Sequence, residues 1–379
     1  MLKTNQYYQE KKQKNNDKKF LCTKSMSTII GLVTMSIVFI IAAPIVVAAE
    51  KMQFPTPVGT SDIVKEGSIF ERIYGDGCFT EGVAAGHDGL IYFSDITLTE
   101  ACNEGGIQAG AILRYNPKDG KVEVFRSPSG MSNGLIFDQD GNLIVAEGAD
   151  SGGQRISKIN MKSGRSYILA HSYKGRRLNS PNDIAIDIKG RIYFSDPRYM
   201  GYEPLEQPIQ CVYRIDLDGS IHAIITNAGA PNGLVISPDG KTLYVSAADT
   251  GTLNFYLHEE GQVVHKGLMA VFTYELHEDG SVGKRKTMVT YEGRDTDGPD
   301  GMTVDSNGNI YVTGWFYDAP GPGVYVYSPE GKELAFYSTG DEYPTNVEFG
   351  RFEDKDMMYV TAGGSVFRIQ TNTNGYFLK

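Results

Sequence analysis

The sequence predicts an all-β fold, a six-bladed β-propeller with four antiparallel strands per blade. Three observations carry that prediction. A short pattern recurs six times between residues 81 and 362, and each copy has a polar residue, an alternating strand, a tight turn and a second strand. A second strand pair follows each copy, which makes four strands per unit at a period near that of a propeller blade. Finally, 44 Gly and 23 Tyr in 379 residues suit many short strands joined by tight turns better than long helices.

The first unit reads "EGVAAGHDGLIYFSD" from Glu81, followed by "AILRYNPKDGKVEVFR". The second reads "NGLIFDQDGNLIVAE" from Asn133 with "RISKINMKSGRSYILA", and the third "NDIAIDIKGRIYFSD" from Asn182 with "CVYRIDLDGSIHAII". The fourth, "NGLVISPDGKTLYVSAAD" from Asn232, precedes "AVFTYELHEDGSVGKRKTMV"; the fifth, "DGMTVDSNGNIYVTG" from Asp300, precedes "GVYVYSPEGKELAFYS". The sixth, "NVEFGRFEDKDMMYVTA" from Asn346, is followed only by "SVFRI", so its fourth strand is expected from "SIFERIY", residues 68–74. The six starts lie 52, 49, 50, 68 and 46 residues apart. Asp-Gly, Ser-Gly and Glu-Gly pairs mark the hairpin turns.

Ahead of the repeats, seven Lys among residues 1–25 precede an uncharged run from Ser27 to Ala49 that ends Val47-Ala48-Ala49. This matches a secretory signal with cleavage after Ala49, and its length also matches a retained membrane anchor. The expected organisation is therefore 1–49 signal or anchor, 50–66 linker and 67–379 propeller, with an extracytoplasmic location, periplasmic, secreted or anchored. In an oxidising compartment Cys78 and Cys102 have the option of pairing. With no CxxC present, structural zinc of the common kind is excluded. A net charge of −10 argues against a nucleic-acid partner.

Propeller geometry turns the polar starts into a site. Glu81, Asn133, Asn182, Asn232, Asp300 and Asn346 all stand at corresponding starts of inner strands, so they are expected to ring the axial channel at one end. Their chemistry is oxygen only, two carboxylates and several amides, with no Cys or His. Such a set suits a hard divalent cation, Ca2+ above all. Asp183, one residue into its strand, is expected to face away from the ring and make a structural hydrogen bond. Asp95 and Asp196, at the ends of the returning strands, are expected to cap loops or support the ring. The sequence shows no His-based triad.

The motifs "FTEG", "SNGL", "RRLNSPNDI", "GRIYFSDPRY", "PNGLVISPDGKTLYVS", "PDGMTVDSNGNIYV" and "PTNVEFG", over about residues 70–369, resemble the gluconolactonase family, also called the senescence marker protein or regucalcin family. The resemblance implies a calcium-type metal held by Glu81, Asn182, Asn232 and Asp300, with Mg2+, Mn2+ or Zn2+ as alternatives. It further implies Asp300 and Glu81 as catalytic groups, Asn133 and Asn182 facing substrate, and hydrolysis of a small-molecule lactone or related ester. Two departures stand out: Ser180 replaces the Arg of the animal sugar-lactonases, and Val83 replaces a frequent Pro. Two other readings remain open, a non-catalytic ligand-binding propeller with a structural metal and a phosphotriester hydrolase using the same site.

Overall fold

The computed structural model describes residues 54–97, 102, 108–251 and 265–378. The signal or anchor expected over 1–49 lies outside the described residues. Six four-stranded antiparallel units follow one another in chain order, and the predicted propeller is the observed fold. Among the described residues the helical content is one 3₁₀ turn, Phe352–Asp354.

The first blade runs outward through Thr80–Ala85, Ile91–Asp95, Ala111–Tyr115 and Val122–Arg126. The next four repeat this order from inner strands Ser132–Phe137, Ile184–Ile186, Pro231–Ile236 and Thr296–Val304. The sixth, from Pro344–Phe349, takes its outermost strand, Glu71–Tyr74, from the start of the chain. This is the closure that the missing fourth strand predicted. Residues 54–66, read from sequence as part of a linker, pack onto the propeller: Val58–Gly59 pairs with Phe336 and Ala335, while Phe54 and Ile63 are buried.

Burial explains the composition of each strand. Inner and second strands are covered on both faces by neighbouring blades, so they read as near-continuous apolar runs; outer strands such as Val122–Arg126 are exposed. The core lies between blades. Ala84, Tyr92 and Ile112 of the first blade pack with Leu135, Phe137, Leu143 and Val145 of the second. The recurrent Tyr is anchored at its polar end: Tyr92 donates to Asp88 (2.8 Å) and Tyr193 to Asp187 (2.9 Å), each an Asp of the hairpin turn. At Gly190, φ of +83° shows why that turn takes glycine.

Candidate metal and substrate site

In the first five blades the polar residue singled out by the repeat stands at a β-bulge of the inner strand. In the third blade Asn182 N donates to Ser195 O (2.9 Å), Ser195 N donates to Asp183 O (3.1 Å), and Asp183 N donates to Ser195 Oγ (3.0 Å). Two residues thus oppose one. Register shifts at Glu81/Ala84, Ser132/Leu135, Pro231/Leu234 and Pro299/Met302 repeat the feature in four other blades. In those four, the residue after the polar start is Gly82, Gly134, Gly233 or Gly301. A Cβ on Gly134 would stand 2.4 Å from Asn182 O, and one on Gly233 2.5 Å from Asp300 O. The glycines therefore let neighbouring inner strands approach around the axis, and Gly134 N donates to Asn182 O at 2.7 Å.

Hydroxyls on the second strands stitch this ring together. Ser94 Oγ donates to Asn133 O (2.8 Å), Ser195 Oγ to Asn232 O (2.7 Å), Ser246 Oγ to Asp300 O (2.7 Å) and Thr313 Oγ1 to Thr345 O (3.0 Å). Each bond joins a second strand to the inner strand of the next blade, and the first three fix the backbone that carries a site side chain.

Two expectations need correction. Asn346 is not a member of the ring. Its N–H donates to Thr361 Oγ1, and its Oδ1 accepts from Val347 N, matching Asp183 with Ser195 Oγ and Ile184 N. The residue in register with Asn182 is Thr345, whose Oγ1 donates to Thr80 O. Asp183 does not face away, because the bulge turns it inward below the ring. There Asp300 and Glu81 both feel its charge, and its Oδ2 accepts from Leu234 N of the next blade (2.8 Å). The structural hydrogen bond expected of it is present.

The remaining ring members meet as a set. Glu81 feels the charge of Asp300, the Asn133 amide lies close enough to Glu81 to favour its ionised form, and the Asn232 amide does the same for Asp300. Burial first, then Asp300, raises the Glu81 pKa well above its ordinary value; burial first, then Asp183, does the same for Asp300. The charged groups that act most on these two acids are themselves acids. Meanwhile Asn133 Oδ1 and Asn232 Oδ1 are buried with no hydrogen-bond partner. Asn182 is buried at the same bulge position in its own blade. Uncompensated carboxylates beside orphaned amide oxygens fit a divalent cation, which would satisfy both at once. Among the described residues no three His, Cys, Asp or Glu side chains form a ligand cluster, so a metal here depends on the amides.

The loops ahead of the ring are held by the two Asp residues that end "FSD". Asp95 Oδ1 accepts from Cys78 N (2.9 Å) and Phe79 N (3.0 Å), just before Glu81. Asp196 accepts from Asn179 N (2.9 Å) and Ser180 N (2.8 Å), just before Asn182. Cys78 and Cys102 form a disulfide beside the first of these loops. On the same face, Trp315 stacks on Tyr343 at 5.3 Å and Phe79 meets its edge at 6.0 Å. Sequence reasoning missed Tyr199, which is half-buried close to Asp300 and Asn232, and burial first, then Asp300, raises its pKa. The second-strand Ser and Thr column was also missed, although it is visible once the six copies are aligned.

A cavity of about 370 Å³ occupies the opposite half of the channel. Its walls include Asp183, Thr303, Glu348 and the C-terminal Tyr376, Phe377 and Leu378, but none of Glu81, Asn133, Asn182, Asn232 or Asp300. The ring and this cavity are separated by the bulge layer, so the chemistry faces the other mouth.

A family model described as the SMP-30/Gluconolactonase/LRE-like region matches residues 79–364. The chain is 31% identical over 287 residues to a gluconolactonase of Zymomonas mobilis, covering 70% of this chain and 73% of that one. Its fold is similar to that of a gluconolactonase from Xanthomonas campestris, with a TM-score of 0.66, 23% identity, and coverage of 84% and 95% of the two chains. It is also similar in fold to a calcium-binding protein, regucalcin, from Agrobacterium tumefaciens, with a TM-score of 0.60, 17% identity, and coverage of 80% and 93%.

Proposed function

The chain belongs to the SMP-30/gluconolactonase/LRE-like family, and from that premise we propose that it is a divalent-metal-dependent lactonase acting at the ring end of the channel. Family membership supports hydrolysis of a small-molecule lactone. The observation that carries the metal is buried Glu81 close to half-buried Asp300, beside the unpartnered Oδ1 atoms of Asn133 and Asn232. Glu81, Asn182, Asn232 and Asp300 would hold the ion, with Ca2+ the best match to carboxylate and amide oxygens. The calcium-binding neighbour supports the same choice.

When bound, a divalent ion supplies Lewis-acid polarisation of a carbonyl oxygen and stabilises the negative charge that develops there on attack. Asp300, half-buried, would orient the attacking water and take its proton at a carboxyl oxygen. That proton then passes to the ring oxygen released on opening, so lactone and water give a hydroxy acid. Asn133, beside Glu81, and Asn182 would line the space where substrate docks. The Cys78–Cys102 disulfide supports an extracytoplasmic setting, because such bonds persist in oxidising compartments.

The test is a substrate panel of aldonolactones, aryl esters and phosphotriesters, run with chelator and with restored Ca2+. The expected outcome is lactone turnover that chelation abolishes and Ca2+ restores, with E81Q and D300N reduced by at least about 100-fold. Lactone turnover undiminished by chelator, or no turnover of any class with metal bound, overturns the reading in favour of a different mechanism or a binding role.

A further inference from the structure

We propose that Phe79, Trp315, Tyr317 and Tyr343 form an apolar subsite beside the polar ring, and that the lactone opened there carries an alkyl or aryl substituent. The inference rests on the lactonase reading above and names the substrate class of that same site. The polar ring has a gap at the sixth blade. Thr345 stands there in place of an amide or carboxylate, and its Oγ1 is held among Thr80 O (2.8 Å), Thr361 O (3.1 Å) and Thr361 Oγ1 (2.8 Å). The gap lies between Asp300 of the fifth blade and Glu81 of the first, because Thr313 bonds to Thr345 O on one side and Thr345 to Thr80 O on the other.

The aromatic rings gather at that gap. Trp315 ends the second strand of the fifth blade, paired with Gly298, and its Nε1 donates to Pro344 O (2.6 Å), which carries the indole across to the start of the sixth inner strand. Tyr343, the residue before Pro344, stacks on the indole with centroids 5.3 Å and planes 30° apart. Phe79, just ahead of Glu81, meets the indole edge-on at 6.0 Å, and Tyr317 meets Tyr343 at 5.8 Å. Phe79 is buried, whereas Trp315, Tyr317 and Tyr343 keep part of their surface exposed. The polar tips of this wall are already engaged, Trp315 Nε1 on Pro344 O and the Tyr317 hydroxyl on Asp297. A substrate hydroxyl set against such a wall loses water and gains no partner from those two groups, while an alkyl or aryl group gains burial on aromatic surface. A lactone whose carbonyl lies between Glu81 and Asp300 therefore has a polar neighbourhood on five sides and an apolar one on the sixth.

Steady-state hydrolysis by the Ca2+-loaded full chain tests this, with δ-valerolactone, its alkyl- and phenyl-substituted derivatives and an aldonolactone of the same ring size, in the wild type, W315A and Y343A. The wild type is expected to favour the substituted lactones over both others by about 10-fold or more in kcat/KM, and each variant to lose most of that preference, chiefly through KM. A variant that merely folds less well lowers turnover of every lactone alike and leaves the preference in place. Trp315 is the only Trp of the chain, so a second measurement needs no variant. Titrating the wild type with an alkyl-substituted δ-lactam, which lacks the ester, is expected to shift the Trp315 emission saturably. Preference for the aldonolactone, a preference unchanged in both variants, or emission unmoved by the lactam overturns the inference alone. A wild type that opens no lactone overturns the lactonase reading and this inference with it.

Discussion

Glu348 shows how much the channel does to a single side chain. It keeps partial exposure, but only toward the axial cavity, and burial pushes its carboxyl up to about 7 from an ordinary 4.5. Oε1 accepts from Phe349 N (2.7 Å) and Thr303 Oγ1 (2.9 Å), which offsets only part of the desolvation. Below about pH 4.5 the group is protonated whether folded or not and costs nothing. As pH rises toward 7 the unfolded chain ionises first, so stability falls across that window and stays lower above it. E348Q keeps the accepting oxygen and removes the charge. Relative to the wild type it should gain on the order of 1–3 kcal/mol at pH 8 and nothing near pH 4, measured by urea unfolding of metal-free protein. A difference independent of pH would contradict the assignment. Residue identity in the ring was legible because Glu81 and Asp300 fall in phase with the repeat. The exchange of Asn346 for Thr345 was not, since one residue of bulge shifts the register without changing the strand pattern.

The element that makes the site is the bulge that opens each inner strand. Sequence alone reads "NG" and "DG" at Asn133, Asn232 and Asp300 as turns, since glycine marks both turns and close approach. Structure separates the two: a Cβ at Gly134 meets the backbone of the next blade, which cannot swing aside as a flexible side chain would. G134A is therefore expected to cost about 1–3 kcal/mol and to push Asn182 off its position. Thermal melting and Ca2+ titration of this variant should both change; a substitution that leaves both untouched would refute the close-approach account. The alternating second strands were legible from their Tyr, Ile and Val. Their hydroxyls at Ser94, Ser195, Ser246 and Thr313 were hidden in the same columns, because Ser or Thr at the end of a strand has many local explanations.

At the scale of the whole molecule the ring exists only because six inner strands converge. Glu81 and Asp300 are 219 residues apart in sequence, and no local pattern joins them. Closure depends on Glu71–Tyr74 pairing with Ser365–Gln370, a contact between the two ends of the domain that was legible from a missing fourth strand. Legible too were the blade count and the oxygen-only donor set. The far cavity with its C-terminal cover was not, because nothing in "NTNGYFL" says where a tail will lie. The central claim is that this convergence builds one divalent-cation site from Glu81, Asn182, Asn232 and Asp300. Equilibrium Ca2+ binding to metal-stripped wild type, E81Q and D300N measures it directly. One ion per wild-type chain, with binding lost in both variants, is the predicted result; no binding by the wild type, or equal binding by all three, would contradict it.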